Sequence, residues 1–208
     1  PEQGARIGIM PLGGSAREIR WVEIDPCYVF HEVNAFRNGD DVVIDVCRHD
    51  KMFAGNDLND TDLTIRRWTV NTAGEHLTFS EDVVSDRQFE LPSHDRRFSG
   101  RAHQYGWFVH TRDRTDTVDL AGIGQVDYRT GDTKVWDPGL ARHANEAFFV
   151  PEGTGEGEGW LLTMVYDHTT QHSALVILDA LNIEAGPVAE IDMPSRVPHG
   201  FHATWVPA

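Results

Sequence analysis

Arg6–Ile24 reads RIGIMPLGGSAREIRWVEI: a short strand-like run, a turn containing Gly14, and a second strand-like run. The same shape returns as LTIRRWTVNTAGEHLTF at 63–79, GIGQVDYRTGDTKVW at 122–136 and ALVILDALNIEAGPVAEI at 174–191. The turn glycines Gly14, Gly74, Gly131 and Gly186 lie 60, 57 and 55 residues apart. Each suits a turn position with positive φ. A period of this size, with room for four strands per unit, describes the blades of a β-propeller. A β-sandwich with regular spacing is the competing reading. Four hairpins amount to three to four blades, fewer than most closed propellers contain.

Outward from these hairpins, runs of Val, Ile, Thr, Phe, Tyr and Trp dominate and helical periodicity is scarce, so the chain is all-β. Strands are expected over 27–36, 41–47, 102–110, 146–150, 160–166 and, at the end, 200–206. Residues 51–62 suit a loop or short helix. The glycine- and acid-rich run 153–159 suits a flexible hairpin tip. Hydrophobic residues make up 40% of the 208 and charged residues 25%, ordinary for a globular protein. The net charge of −15 repels phosphate backbones, which argues against nucleic-acid binding. No apolar run is long enough to span a membrane. Cys27 and Cys47, the only cysteines, sit in apolar runs and read as reduced core residues of a cytoplasmic protein; a cross-strand disulfide is the alternative. The chain starts on Pro1 rather than Met, and strand-like sequence follows almost at once, which suggests truncation of a longer protein.

Eleven histidines are present. His49, His76, His94, His103, His110, His143, His168 and His172 have polar surroundings and read as surface or loop residues; His199 reads as exposed. His31, in CYVFHEVNAF (27–36), and His202, in VPHGFHATWV (197–206), lie in apolar aromatic runs. A histidine there needs partners for both ring nitrogens: either backbone groups of the core or a metal. Glu90 in FELP and Glu146 in NEAFFV also adjoin apolar residues. Such a glutamate either faces water or is paired, and a metal-bound histidine commonly gives its second N–H to a carboxylate. His31-Glu32 does not open an HExxH motif, because position 35 is Ala. There is no CxxC, G-x-S-x-G or phosphate-binding glycine loop.

Taken in order, PCYVFHEVNAF with DDVVIDVCRHD, FELP, NEAFFVPE, GWLLTMVYD, SALVILDA and VPHGFHATWV resemble the carotenoid cleavage oxygenases, a family that includes apocarotenoid oxygenases and lignostilbene dioxygenases. The resemblance covers nearly the whole chain. It implies a seven-bladed β-propeller with Fe(2+) on its axis, held by four histidines, three of them braced by glutamates. Residues 1–208 would then be the C-terminal part of a single propeller domain. By this resemblance His31 and His202 are two of the metal ligands, Glu90 braces His31 and Glu146 braces His202. Phe30, Phe201 and Trp205 would line a substrate tunnel. The implied reaction is cleavage of a C=C double bond in a conjugated apolar substrate by O2, giving two carbonyl products. No motif here replaces the other two ligands, so the isolated chain is expected to be inactive. Membrane contact, if any, belongs to the part upstream. A calcium-dependent propeller hydrolase of the lactonase type and a non-catalytic propeller scaffold are the rival readings.

Overall fold

A computed structural model describes residues 4–52, 62–112 and 119–206. The expectation for 51–62 falls almost wholly outside them. Among the described residues every regular element is a strand apart from three single-turn 3-10 segments, and the strands form four antiparallel sheets. Strands β1 (Ala5–Ile9) and β2 (Arg20–Ile24) make a hairpin. The first complete blade is β3 (Tyr28–Asn38), β4 (Asp41–His49), β5 (Leu63–Asn71) and β6 (Thr78–Ser85), each paired with the next. The second is β7 (Phe89–Ser93), β8 (Tyr105–Arg112), β9 (Asp119–Asp127) and β10 (Thr133–Trp136). In the third, β11 (Arg142–Ala144) and β12 (Phe148–Pro151) pair successively along β13 (Gly159–Asp167), followed by β14 (His172–Asp179) and β15 (Pro187–Asp192). The result is an open part of a propeller. No helix among the described residues is long and apolar enough to cross a membrane.

The core lies between blades. Val33, Cys47 and Ile65 of the first pack against Phe89, Phe108 and Val126 of the second. Trp107, Ile123 and Trp136 of the second pack against Phe149, Leu161 and Val176 of the third. Phe89 stacks on Phe108 with ring centres 5.5 Å apart. This close layer depends on Gly124, where an added Cβ would stand 2.4 Å from the Phe89 ring.

Several expectations need correction. Residues 200–206 form no strand: no described strand offers the segment a ladder. Strands β7 and β11 were not foreseen, because Pro92 interrupts one run and the other is only three residues long. Gly131 and Gly186 have the expected positive φ, 78° and 81°; in the first hairpin Gly13 takes that conformation instead of Gly14, and Gly74 does not adopt it. Residues 153–159 are no free tip: Arg97 donates to the carbonyls of Gly153 and Gly155 (2.7 and 3.0 Å), and Glu156 accepts from the backbone N–H groups of Gln104 and Tyr105. Cys47 is buried, whereas Cys27 is only half-buried; both thiols are free.

His103 is likewise no surface residue. It is buried beside Asn34, whose Nδ2 lies 3.1 Å from its Nδ1, and beside Asp45, which Arg67 grips through two 2.8 Å hydrogen bonds. His103 Nε2 stands 3.4 Å from Asp45 Oδ2, close but not aligned for a hydrogen bond. Burial, helped by the Arg67 charge, lowers the His103 pKa from 6.5 to about 4. Below pH 6.5 the unfolded chain therefore takes up a proton that the folded chain refuses until about pH 4. Stability is complete above that window and falls by roughly 3 kcal/mol across it as pH drops. Urea midpoints between pH 7 and 4.5 check this: His103→Gln should flatten the slope, and an unchanged slope would contradict the assignment.

Candidate metal centre

The side chains in question sit where the first strand of each blade is irregular. Along β3 the register slips twice: Val29 faces Arg48, Glu32 faces Val46 and Asn34 faces Asp45. Each slip inserts one extra residue, and such bulges re-aim side chains. His31 lies inside the first. β7 slips against β8 between Glu90 and Ser93, and Leu91 there has φ 51°, uncommon for a branched side chain. That conformation turns the Leu91 N–H back onto Glu90 Oε2 at 2.7 Å. Glu146 occupies the gap between β11 and β12, where the Asn145 carbonyl accepts from Thr163 Oγ1.

These irregularities and the C-terminal tail bring five side chains to one place. His31 Nδ1 is 2.6 Å from Glu90 Oε2. Glu90 Oε1 is 3.0 Å from His49 Nε2, so one carboxylate of the second blade holds two histidines of the first. His202 Nδ1 is 3.5 Å from Glu146 Oε1, and the Ala203 N–H donates to Glu146 Oε2 at 2.6 Å. The Nε2 atoms of His31 and His202 are 3.3 Å apart. His202 is carried by the tail after β15, which is tied down by the Val197 N–H on Ser173 Oγ and by Arg96 on Thr204 Oγ1. The site opens to solvent at this tail: the His31 side chain is 25% exposed and that of His202 60%.

The two carboxylates differ in charge behaviour. Burial pushes Glu90 upward, but hydrogen bonds from His31, His49 and Leu91 together outweigh it, and the group ends below the ordinary carboxylate range. Its hydrogen bond raises the pKa of His31. Glu146 moves the other way: burial raises it, and its contacts with Ala203 and His202 do not compensate.

The donors suit a metal. Nitrogens about 2.1 Å from one ion stand roughly 3.0–3.5 Å apart in adjacent positions, the separation seen here. Each ring turns its second nitrogen to a carboxylate, the usual outer partner of a metal-bound histidine. Of the aromatic residues expected along a tunnel, Trp205 lines a cleft of ≈ 520 Å³ together with Val33, Glu146, Phe148 and Phe149. Phe30 instead packs edge-on against His49. Phe201 is 73% exposed. Neither is among the residues that line that cleft.

The family model described as "Retinal pigment epithelial membrane protein" matches residues 1–207. The chain belongs to this carotenoid oxygenase family. A carotenoid cleavage oxygenase of Mycobacterium tuberculosis is 32% identical over the whole chain, which covers 43% of that protein. An isoeugenol monooxygenase of Pseudomonas nitroreducens is 30% identical, again over the whole chain and 47% of its own length. Among solved structures, the cobalt-substituted apocarotenoid oxygenase of Synechocystis superposes with a TM-score of 0.88 at 25% identity, over 99% of this chain and 44% of that one. The chain thus spans less than half the length of the curated relatives it matches. In this carotenoid oxygenase family member, His49 was missed as a partner of Glu90. Its signal lay in the alternation of β4, where Val43, Asp45, Cys47 and His49 all face inward.

Proposed function

We propose that residues 1–208 form the C-terminal part of a single β-propeller domain in a non-haem Fe(II) dioxygenase. It cleaves a C=C double bond of a conjugated apolar substrate, a carotenoid, apocarotenoid or stilbene, to two carbonyl products. The observation that carries this reading is the convergence of His31 Nε2 and His202 Nε2 at 3.3 Å, with each Nδ1 against a carboxylate. By resemblance, two further histidines come from outside this chain.

Neutral imidazoles suit iron, and the bound ion would activate O2 beside the double bond. His31 and His202 would hold it. Glu90 fixes the tautomer and ring plane of His31 and is itself fixed by His49 and Leu91 N–H. Glu146 does the same for His202 and fastens the tail through Ala203 N–H. The adjoining cleft sets apolar Val33, Phe148, Phe149 and Trp205 beside charged Glu32, Asp95, Arg96 and Arg97, and its apolar part would orient a flat conjugated chain. No acid, base or nucleophile from the protein is needed, since both product oxygens come from O2. The free thiols of Cys27 and Cys47 fit a reducing, cytoplasmic setting.

The test is to purify the intact protein without oxygen, measure its iron, and supply a stilbene and an apocarotenal under isotopically labelled O2. Stoichiometric iron and labelled carbonyl products are expected. Calcium in place of iron with ester hydrolysis, or no oxidation of either substrate, would overturn the reading.

A further inference from the structure

We propose that His143, His168 and His199 form a second, peripheral metal site that takes zinc or a similar borderline ion and clasps the tail onto the third blade. The three residues come from separate pieces of chain: His143 from β11, His168 from the turn after β13, His199 from the tail. One nitrogen of each lies within 4.8 Å of the others. His168 Nε2 and His143 Nδ1 are 3.3 Å apart. Two nitrogens about 2.0–2.1 Å from a tetrahedral zinc ion are about 3.3 Å apart, so this pair is already at ligand spacing. His199 Nδ1 stands 3.4 Å from Asn145 Oδ1, which leaves Nε2 to turn toward the pair.

The surroundings hold the rings in place. The Tyr166 ring packs edge-on against His168 and His199, at 4.7 and 5.8 Å between centres, and Arg196 lies over Tyr166. Three neutral imidazoles are a donor set for zinc, nickel or copper, with positions left for water. The group shares no residue with His31, Glu90, Glu146 or His202.

Its placement gives the site a purpose. Residues 194–206 form no strand, and His199 precedes His202 by three positions. An ion joining His199 to β11 and the β13 turn would restrict the tail and so favour His202 beside Glu146, the neighbour of Asn145.

Intact, untagged protein with its iron in place is titrated with Zn(II), and separately with Co(II) as a coloured probe. Wild type should bind zinc with a rise in melting temperature and give the visible bands of tetrahedral cobalt. His168→Ala and His199→Ala should each weaken that binding by tenfold or more, while the iron content of the zinc-free variants matches that of zinc-free wild type. The proposal is overturned if zinc does not bind, or binds the variants as it binds wild type. Loss of iron in His31→Ala is scored separately, so this clasp and the iron reading can fail independently.

Discussion

In the intact protein His31→Ala is expected to empty the proposed iron site and to cut the proposed turnover by more than about 100-fold. The loss of an outer partner of a metal-bound histidine already costs 10–100-fold in affinity or activity; the ligand itself must cost more. The substitution removes the Nε2 atom that faces His202 and leaves Glu90 with His49 and the Leu91 N–H only. His31 is partly exposed and lies in a bulge, so the variant should fold and iron analysis should be informative. Glu90→Gln is the graded companion. An amide can accept from one histidine but must present N–H to the other, so iron binding should weaken without vanishing. Wild-type iron content and turnover in His31→Ala would remove the basis of the proposed site.

Trp107→Ala should destabilise the protein by about 3–5 kcal/mol, the usual cost of deleting a large buried aromatic side chain. Trp107 is fully buried and stacks on Phe149 with ring centres 4.9 Å apart and planes 3° from parallel. Its indole N–H donates to the Ala180 carbonyl at 2.9 Å. Gln125 donates to the same carbonyl, so the dominant loss is packing rather than an orphaned oxygen. The cavity would open between the second and third blades, next to β12 and hence near Glu146. Trp107→Phe keeps a ring against Phe149 and should lose much less. Urea unfolding of the three proteins reads the difference; a shift below about 1 kcal/mol for alanine would show that the blades close over the gap.

Much of the fold was legible because strand alternation and turn glycines are local signals. The repeat in 6–24, 63–79, 122–136 and 174–191 maps onto hairpins of the four sheets. What escaped was set by distant partners. Pro92 concealed β7, which is stabilised by pairing to β8 and packing of Phe89. His49 and His103 look polar in sequence but are buried, because Glu90 and the Asn34–Asp45 cluster await them from across a blade boundary. Residues 200–206 have strand composition, yet composition supplies no hydrogen-bond partner. His31, Glu90, Glu146 and His202 stood out as polar groups in apolar runs, but their meeting depends on bulges and a strand break that local sequence does not reveal.

Glu90 joins His31 and His49 of one blade from the strand that begins the next. During folding, neither histidine can reach its final orientation until those two blades have docked. If the proposed site takes iron, its uptake should therefore come late, after the β-sheets themselves have formed, and would register correct blade assembly in a way that strand content alone cannot.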